Sequence, residues 1–234
     1  MFRGDHPELG RALGRAVELA RGLGHPRTGS EHLLLSLAAG GAVAAALAEH
    51  GAAEAALREA VRRSAPAGAG AAADRDTLAA LGVDLDRLLG ASGARALDRP
   101  PSREPLLPLG AAGARRRCAR MSPPLGLDAQ AAYEASLRLA LARREREHRT
   151  EHLALALIAL DPGAAWALSA TGADRRAILA DLAAAFPPPR RNPLLRAERR
   201  LARRIRHRDI VRRYQRTTGR TATSGPALAA LIGA

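Results

Sequence analysis

The chain contains the same segment twice. Residues 24–37 read GHPRTGSEHLLLSL and residues 144–157 read REREHRTEHLALAL, and they align without a gap at an offset of 120. Glu31 and His32 fall on Glu151 and His152, and Leu33, Leu35 and Leu37 fall on Leu153, Leu155 and Leu157. A segment that recurs in this way is one structural unit used twice. Any fold assigned to the first copy must therefore suit the second.

The correspondence runs outward from this segment. Upstream, Leu13, Ala16, Val17 and Ala20 fall on Tyr133, Ser136, Leu137 and Ala140, a spacing of three and four that marks one helix face. Arg11, Arg15 and Glu18 lie off that stripe. Downstream, one extra residue shifts the offset to 121, and Leu47 and Gly51 fall on Leu168 and Gly172. Each unit reads as a long helix, a turn, a short apolar helix and two further short helices. Ser30 and Thr150 are placed as N-caps, because a hydroxyl accepts from orphan backbone N–H groups. Glu31 and Glu151 then stand in the first turn, where the helix dipole favours negative charge. Gly51 and Gly172 suit helix C-termini. The closing helices are predicted near 54–63 and 174–186, and Leu33, Leu37, Leu153 and Leu157 are the expected core.

Composition agrees with helices. Apolar residues make up 47% of the chain and aromatics 2%, so the core is packed from Ala, Leu and Val. Small side chains favour close helix-on-helix contact, and a sheet lacks the β-branched runs it needs. The predicted fold class is all-α: two pseudo-symmetric four-helix repeats and a basic C-terminal helical tail. The boundaries are 7–63 for the first repeat, 64–125 for a linker with one helix near 74–89, 126–186 for the second repeat, and 187–234 for the tail. The linker helix rests on the stripe Leu78, Leu81, Leu85 and Leu88. Residues 99–125 hold six of the fifteen prolines and are expected to be extended and mobile. Pro187, Pro188 and Pro189 end the second repeat, and a further helix is predicted over 194–214.

Charge is unevenly placed. The net charge is +14, of which residues 187–234 carry +11: 13 Arg against Glu198 and Asp209. The basic patch Arg199, Arg200, Arg203, Arg204, Arg206, Arg208, Arg212 and Arg213 suits nucleic-acid phosphate, an acidic protein or an anionic surface. Tyr214 is the one aromatic among these arginines, so base stacking has little support. Every basic residue is Arg; the absence of lysine excludes the P-loop, Ser-x-x-Lys and Schiff-base mechanisms. The single Cys118 cannot form an internal disulfide, which points to a reducing, cytoplasmic setting. Asp5 and Glu8 stand where a signal peptide needs a basic start and an apolar run. The longest uncharged stretch, Leu33 to Ala48, is 16 residues and holds Gly40 and Gly41. A span needs about 18 or more apolar residues, so no membrane segment is expected.

The pattern GH-x-x-x-G-[ST]-EH-LLL, followed by a short glycine-marked helix pair, resembles the Clp N-terminal domain. That domain precedes the ATPase modules of the ClpA, ClpB and ClpC unfoldases and carries two such repeats. The resemblance runs from about Pro7 to Phe186 and leaves out the tail. It implies an all-helical module that binds peptides, substrates or adaptors of a Clp unfoldase, here without an ATPase module. It also implies a ligand site at Ser30, Glu31, Thr150 and Glu151, since the glutamate of this motif helps ClpC-type domains hold arginine and phosphoarginine groups. Arg149 departs from the pattern, standing where the first copy has Gly29.

Other chemistry in the sequence has plainer readings. His148, Glu151 and His152 spell H-x-x-E-H, a zinc-protease pattern, which requires both histidines on one helix. With Thr150 as N-cap, His148 precedes the helix, and the first copy has Thr28 at that position. His32 and His152 are read as packed or solvent-bridging, because no Ser, Cys or Asp partner is placed beside them. Glu31 and Glu151 are open to two readings, dipole stabilisation and arginine binding. No catalytic residue, metal ligand or cofactor is expected. Protein or peptide partners are the leading expectation, with nucleic acid binding through the tail as the alternative.

Overall fold

The computed structural model describes residues 3–64, 67–85, 87 and 122–188. The predicted tail helix and most of the proline-rich linker, including Cys118, lie outside these residues, as do all eight arginines of the tail patch. The first unit is α1 (Pro7–Gly22), α2 (Ser30–Ala38), α3 (Ala42–Glu49) and α4 (Glu54–Arg63). The second is α6 (Leu127–Ala142), α7 (Thr150–Leu160), α8 (Pro162–Ala170) and α9 (Arg175–Ala185). Helix α5 (Ala69–Ala79) lies between them in sequence and packs on α8. Among the described residues, no single helix is long and apolar enough to cross a membrane.

The central helices are buried on all sides. Every residue of α2 is buried, and so is α7 from His152 to Ile158. Leu33, Leu37, Leu153 and Leu157 are at most 2% exposed, as their place in the pattern predicts. Around this pair, α1 covers α2 and α6 covers α7, and α3, α4, α8 and α9 close the remaining faces. On α1 the buried stripe is Leu9, Ala12, Ala16 and Ala20, with Leu13 half-buried against it. The predicted stripe is thus displaced toward the small residues. Alanines let α1 approach α2 closely enough for Ser36 Oγ to donate to the Ala12 carbonyl at 2.7 Å.

Three local predictions need correction. Gly29 and Arg149 are the N-caps of α2 and α7, and Ser30 and Thr150 are the first helical residues. The linker helix runs over Ala69–Ala79 rather than 74–89. It starts where Gly68 adopts φ +86° and the alanines Ala69, Ala71 and Ala72 begin, and these bury against the second unit. The third is a small parallel ladder that composition did not suggest: β1 (Gly4–Asp5) pairs with β2 (Glu147–His148). Gly51 and Gly172 do end their helices, each at φ +77°.

Candidate functional site

The repeated Glu-His pair has a structural task in both copies. Each histidine stands at the third position of its helix and turns back on the N-cap. His32 Nδ1 accepts the Gly29 N–H at 2.9 Å, and His152 Nδ1 accepts the Arg149 N–H at 3.1 Å. A side chain reaching back to the N-cap amide is one half of a capping box. An Nδ1 that accepts this bond leaves the ring proton on Nε2. Burial pushes the His32 pKa down to about 4, chiefly through desolvation, against the opposing charge of Glu31.

The two glutamates part company. Glu31 is 1% exposed, whereas Glu151 and Thr150 are half-buried. Glycines make the difference. A Cβ on Gly29 would collide with the Glu31 carboxylate, and one on Gly68 would lie 2.7 Å from Oε1. Both positions must be bare for the carboxylate to lie inward. In the second copy Arg149 replaces Gly29 at extended φ −120°, and its guanidinium pairs with Glu147 at 3.1 Å on the surface.

Glu31 lies in a polar seam between the two units. His25, Arg27, Ser30, Glu31, His32 and Asp161 are all buried there. Ser30 is the joint. Its hydroxyl donates to Asp161 Oδ1 at 2.6 Å, and its N–H donates to Asp128 Oδ2 at 2.9 Å. Asp161 also N-caps α8, accepting the Ala164 N–H at 2.7 Å. Gly163 and Gly70 allow this approach, since a Cβ on Gly163 would meet Ser30 Oγ at 2.9 Å and Gly70 N at 3.0 Å. The starts of α2, α5, α6 and α8 therefore converge, and three carboxylates sit at their positive ends.

Burial acts differently on these acids. For Glu31 it raises the pKa, but His25, His32 and Arg27 outweigh it and hold the carboxyl below its ordinary value. For Asp128, burial and the charge of Glu31 raise the pKa. Burial raises Asp161 to about 6, against the bonds from Ser30 and Ala164. Several buried atoms have no hydrogen-bond partner: Glu31 Oε2, Asp128 Oδ1, His32 Nε2 and both nitrogens of His25.

His25, Glu31 and His32 bring three metal-ligating side chains within 4.8 Å of one another. Their bonding does not suit a metal. The Nδ1 lone pair of His32 is taken by Gly29, and Nε2 carries the proton, so His32 would have to abandon its helix cap to become a ligand. The H-x-x-E-H residues are also committed elsewhere. His148 bonds Asp5 Oδ1 at 2.9 Å and Ser136 Oγ at 2.7 Å, while His152 caps α7. Asp5, His148 and Ser136 line up in the order of a hydrolase triad, but His148 and Ser136 are fully buried and Ser136 Oγ also donates to the Tyr133 carbonyl. The chain of bonds ties helices together instead of presenting a nucleophile.

Of the four predicted ligand-site residues, Ser30 and Glu31 face the seam, and Thr150 and Glu151 lie at the opposite copy's helix start. Reading one copy at a time missed Asp128 and Asp161. The signal for Asp161 was present in Asp161-Pro162, an N-cap followed by a proline at the first helical position.

Residues 7–100 match the Clp repeat (R) N-terminal domain family. No curated protein and no solved structure matches the chain.

Proposed function

We propose, from the match of residues 7–100 to the Clp repeat (R) N-terminal domain family, that this chain is a non-catalytic protein-binding module of a Clp unfoldase system. It serves as an adaptor or decoy that engages peptides, unfolded proteins or the unfoldase itself, in the cytoplasm. The family match carries this reading. The order of elements supports treating the two units as copies of one repeat. Helices of 16, 9, 8 and 10 residues in the first unit are followed by 16, 11, 9 and 11 in the second. The same histidine cap opens α2 and α7. The full burial of His148 and Ser136 supports the non-catalytic part.

The binding residues proposed are Ser30, Glu31, Thr150 and Glu151, toward arginine or phosphoarginine side chains. Thr150 and Glu151 reach solvent as they stand, so Glu151 is the point of first contact. A carboxylate meets a guanidinium bidentately, and a helix start favours an anionic group beside it. Ser30 and Glu31 join only when the units part.

The test is capture by the full-length protein from extracts of its native host, with and without nuclease, followed by mass spectrometry. Nuclease-resistant recovery of a Clp unfoldase or its substrates, reduced by Glu151→Ala, supports the proposal. Recovery that disappears with nuclease assigns the binding to nucleic acid and the arginine-rich tail.

A further inference from the structure

We propose that the seam between the two units is a proton-linked latch: closing the units takes up one proton among Asp161, Asp128 and Glu31, and its loss loosens α2 from α8. The geometry supplies the first reason. Ser30 is held from both sides, by Asp161 at the start of α8 and by Asp128 at the start of α6. With all three acids ionised, the Arg27 guanidinium offsets one of three negative charges, and Glu31 and Asp161 are buried. Like charges in a buried site do not all ionise.

Unmet hydrogen bonding supplies the second. Glu31 Oε2 and Asp128 Oδ1 are buried acceptors without a donor. A proton taken up by either carboxyl turns one of these unmet acceptors into a hydroxyl donor. The converging helix starts favour retained negative charge, so one proton is taken up rather than three.

The groups around Asp161 come from the elements packed on α8, of which α9 carries Arg175, Arg176 and Asp181, all exposed. Glu31 and His32 lie on α2, His25 and Arg27 on the loop before it, and Asp128 on α6. Helix α5 carries Asp74, Arg75 and Asp76, with Asp76 bonded to Trp166 Nε1 at 2.9 Å. On α4, Glu54 pairs with Arg58 and Glu59 with Arg63 toward solvent, and Arg62 is exposed. The buried stretch of α7 before Asp161 is apolar from Leu153 to Ile158.

The direction follows from linkage. Burial raises Asp161 to about 6 from an ordinary 3.8, so its protonated form belongs to the closed state. This contribution is complete below the ordinary value and fades as pH rises through about 6. Between pH 5 and pH 7 the closing equilibrium weakens by about tenfold from this group. His32 acts in the opposite sense, because its burial favours the neutral ring. Only a comparison that leaves His32 in place isolates the latch.

Asp161→Asn keeps an acceptor for Ser30 and Ala164 and removes the proton. Urea unfolding of the full chain and this variant at pH 5 and pH 7 should show the variant gaining, relative to the parent, by about tenfold in the unfolding constant at the higher pH. A ratio equal at both pH values overturns the proposal. If the variant does not fold, carbon-13 NMR of the carboxyl carbons of Glu31, Asp128 and Asp161 in the parent decides. One of the three should lose a proton between pH 5 and pH 7, and three carboxyls already ionised at pH 5 overturn the latch.

Discussion

Histidine is an uncommon choice for capping a helix, and its use at His32 makes the start of α2 sensitive to protonation. An imidazolium has no lone pair at Nδ1 with which to accept the N-cap amide. The His32 pKa stands near 4 in the folded chain against an ordinary 6.5, so the unfolded chain binds the proton more readily between those values. Stability from this residue is present above about pH 6.5 and is lost as pH falls toward 4, by about 3 kcal/mol in all. His32→Gln should flatten this part of the stability–pH curve, read by urea unfolding from pH 4 to 7. Parent and variant curves of the same shape would show that the ring is not held neutral. At His152 the cap is the simpler quantity: His152→Ala should cost about 1–2 kcal/mol, measured by thermal unfolding at neutral pH.

The elements were mostly legible in the sequence, and the seam was not. The three-and-four spacing of leucines located α2 and α7, because burial on a helix is periodic and needs no knowledge of the partner. The caps were misplaced by one residue, because Ser30 and Thr150 look like N-caps while the acceptor used is the histidine two positions on. The inward turn of Glu31 depends on Gly68, 37 residues along the chain from it, and on α8, which no local pattern reports. Gly29→Ala tests that dependence. The added Cβ drives the Glu31 carboxylate out of its site, and a displaced buried charge costs on the order of 3 kcal/mol. Gly68→Ala should cost more, since the same collision adds to strain at φ +86°. Arg149→Gly at the matching position of the second copy should change stability by less than about 1 kcal/mol, because Glu151 is not enclosed. Denaturant midpoints of the three variants rank them directly. Leu37→Ala, at 2% exposure, gives the core scale for comparison, about 2–5 kcal/mol.

At the scale of the whole molecule, the bonds between the units include His50 to Asp181 at 2.6 Å and Gly126 N–H to the Thr28 carbonyl at 2.9 Å, beside two larger devices at different places. One is the seam at Ser30. The other is the N-terminal strand, which precedes the family match at residue 7 and reaches across to the second unit. Arg3 N–H donates to the Arg146 carbonyl at 2.7 Å and His6 N–H to the His148 carbonyl at 2.8 Å. Asp5 then accepts from Tyr133 through one carboxylate oxygen and bonds His148 Nδ1 at 2.9 Å through the other. His6 in turn caps α1, accepting the Glu8 N–H, so the strand that clasps β2 also fixes the start of the first unit's long helix. Although burial raises the pKa of Asp5, the bonds from His148 and Tyr133 outweigh it and hold the carboxyl below its ordinary value. Its contribution is therefore present above about pH 4 and is lost as pH falls through the lowered value. Asp5→Ala leaves the fully buried Nδ1 of His148 without its partner, at a cost of about 1–3 kcal/mol. The loss should concentrate in the second unit. Amide exchange at His6 and His148 should quicken while the centre of α2, around Leu35, keeps its protection. Uniform loss across both units would mean that the strand supports the fold as a whole and does not act as a clasp between its halves.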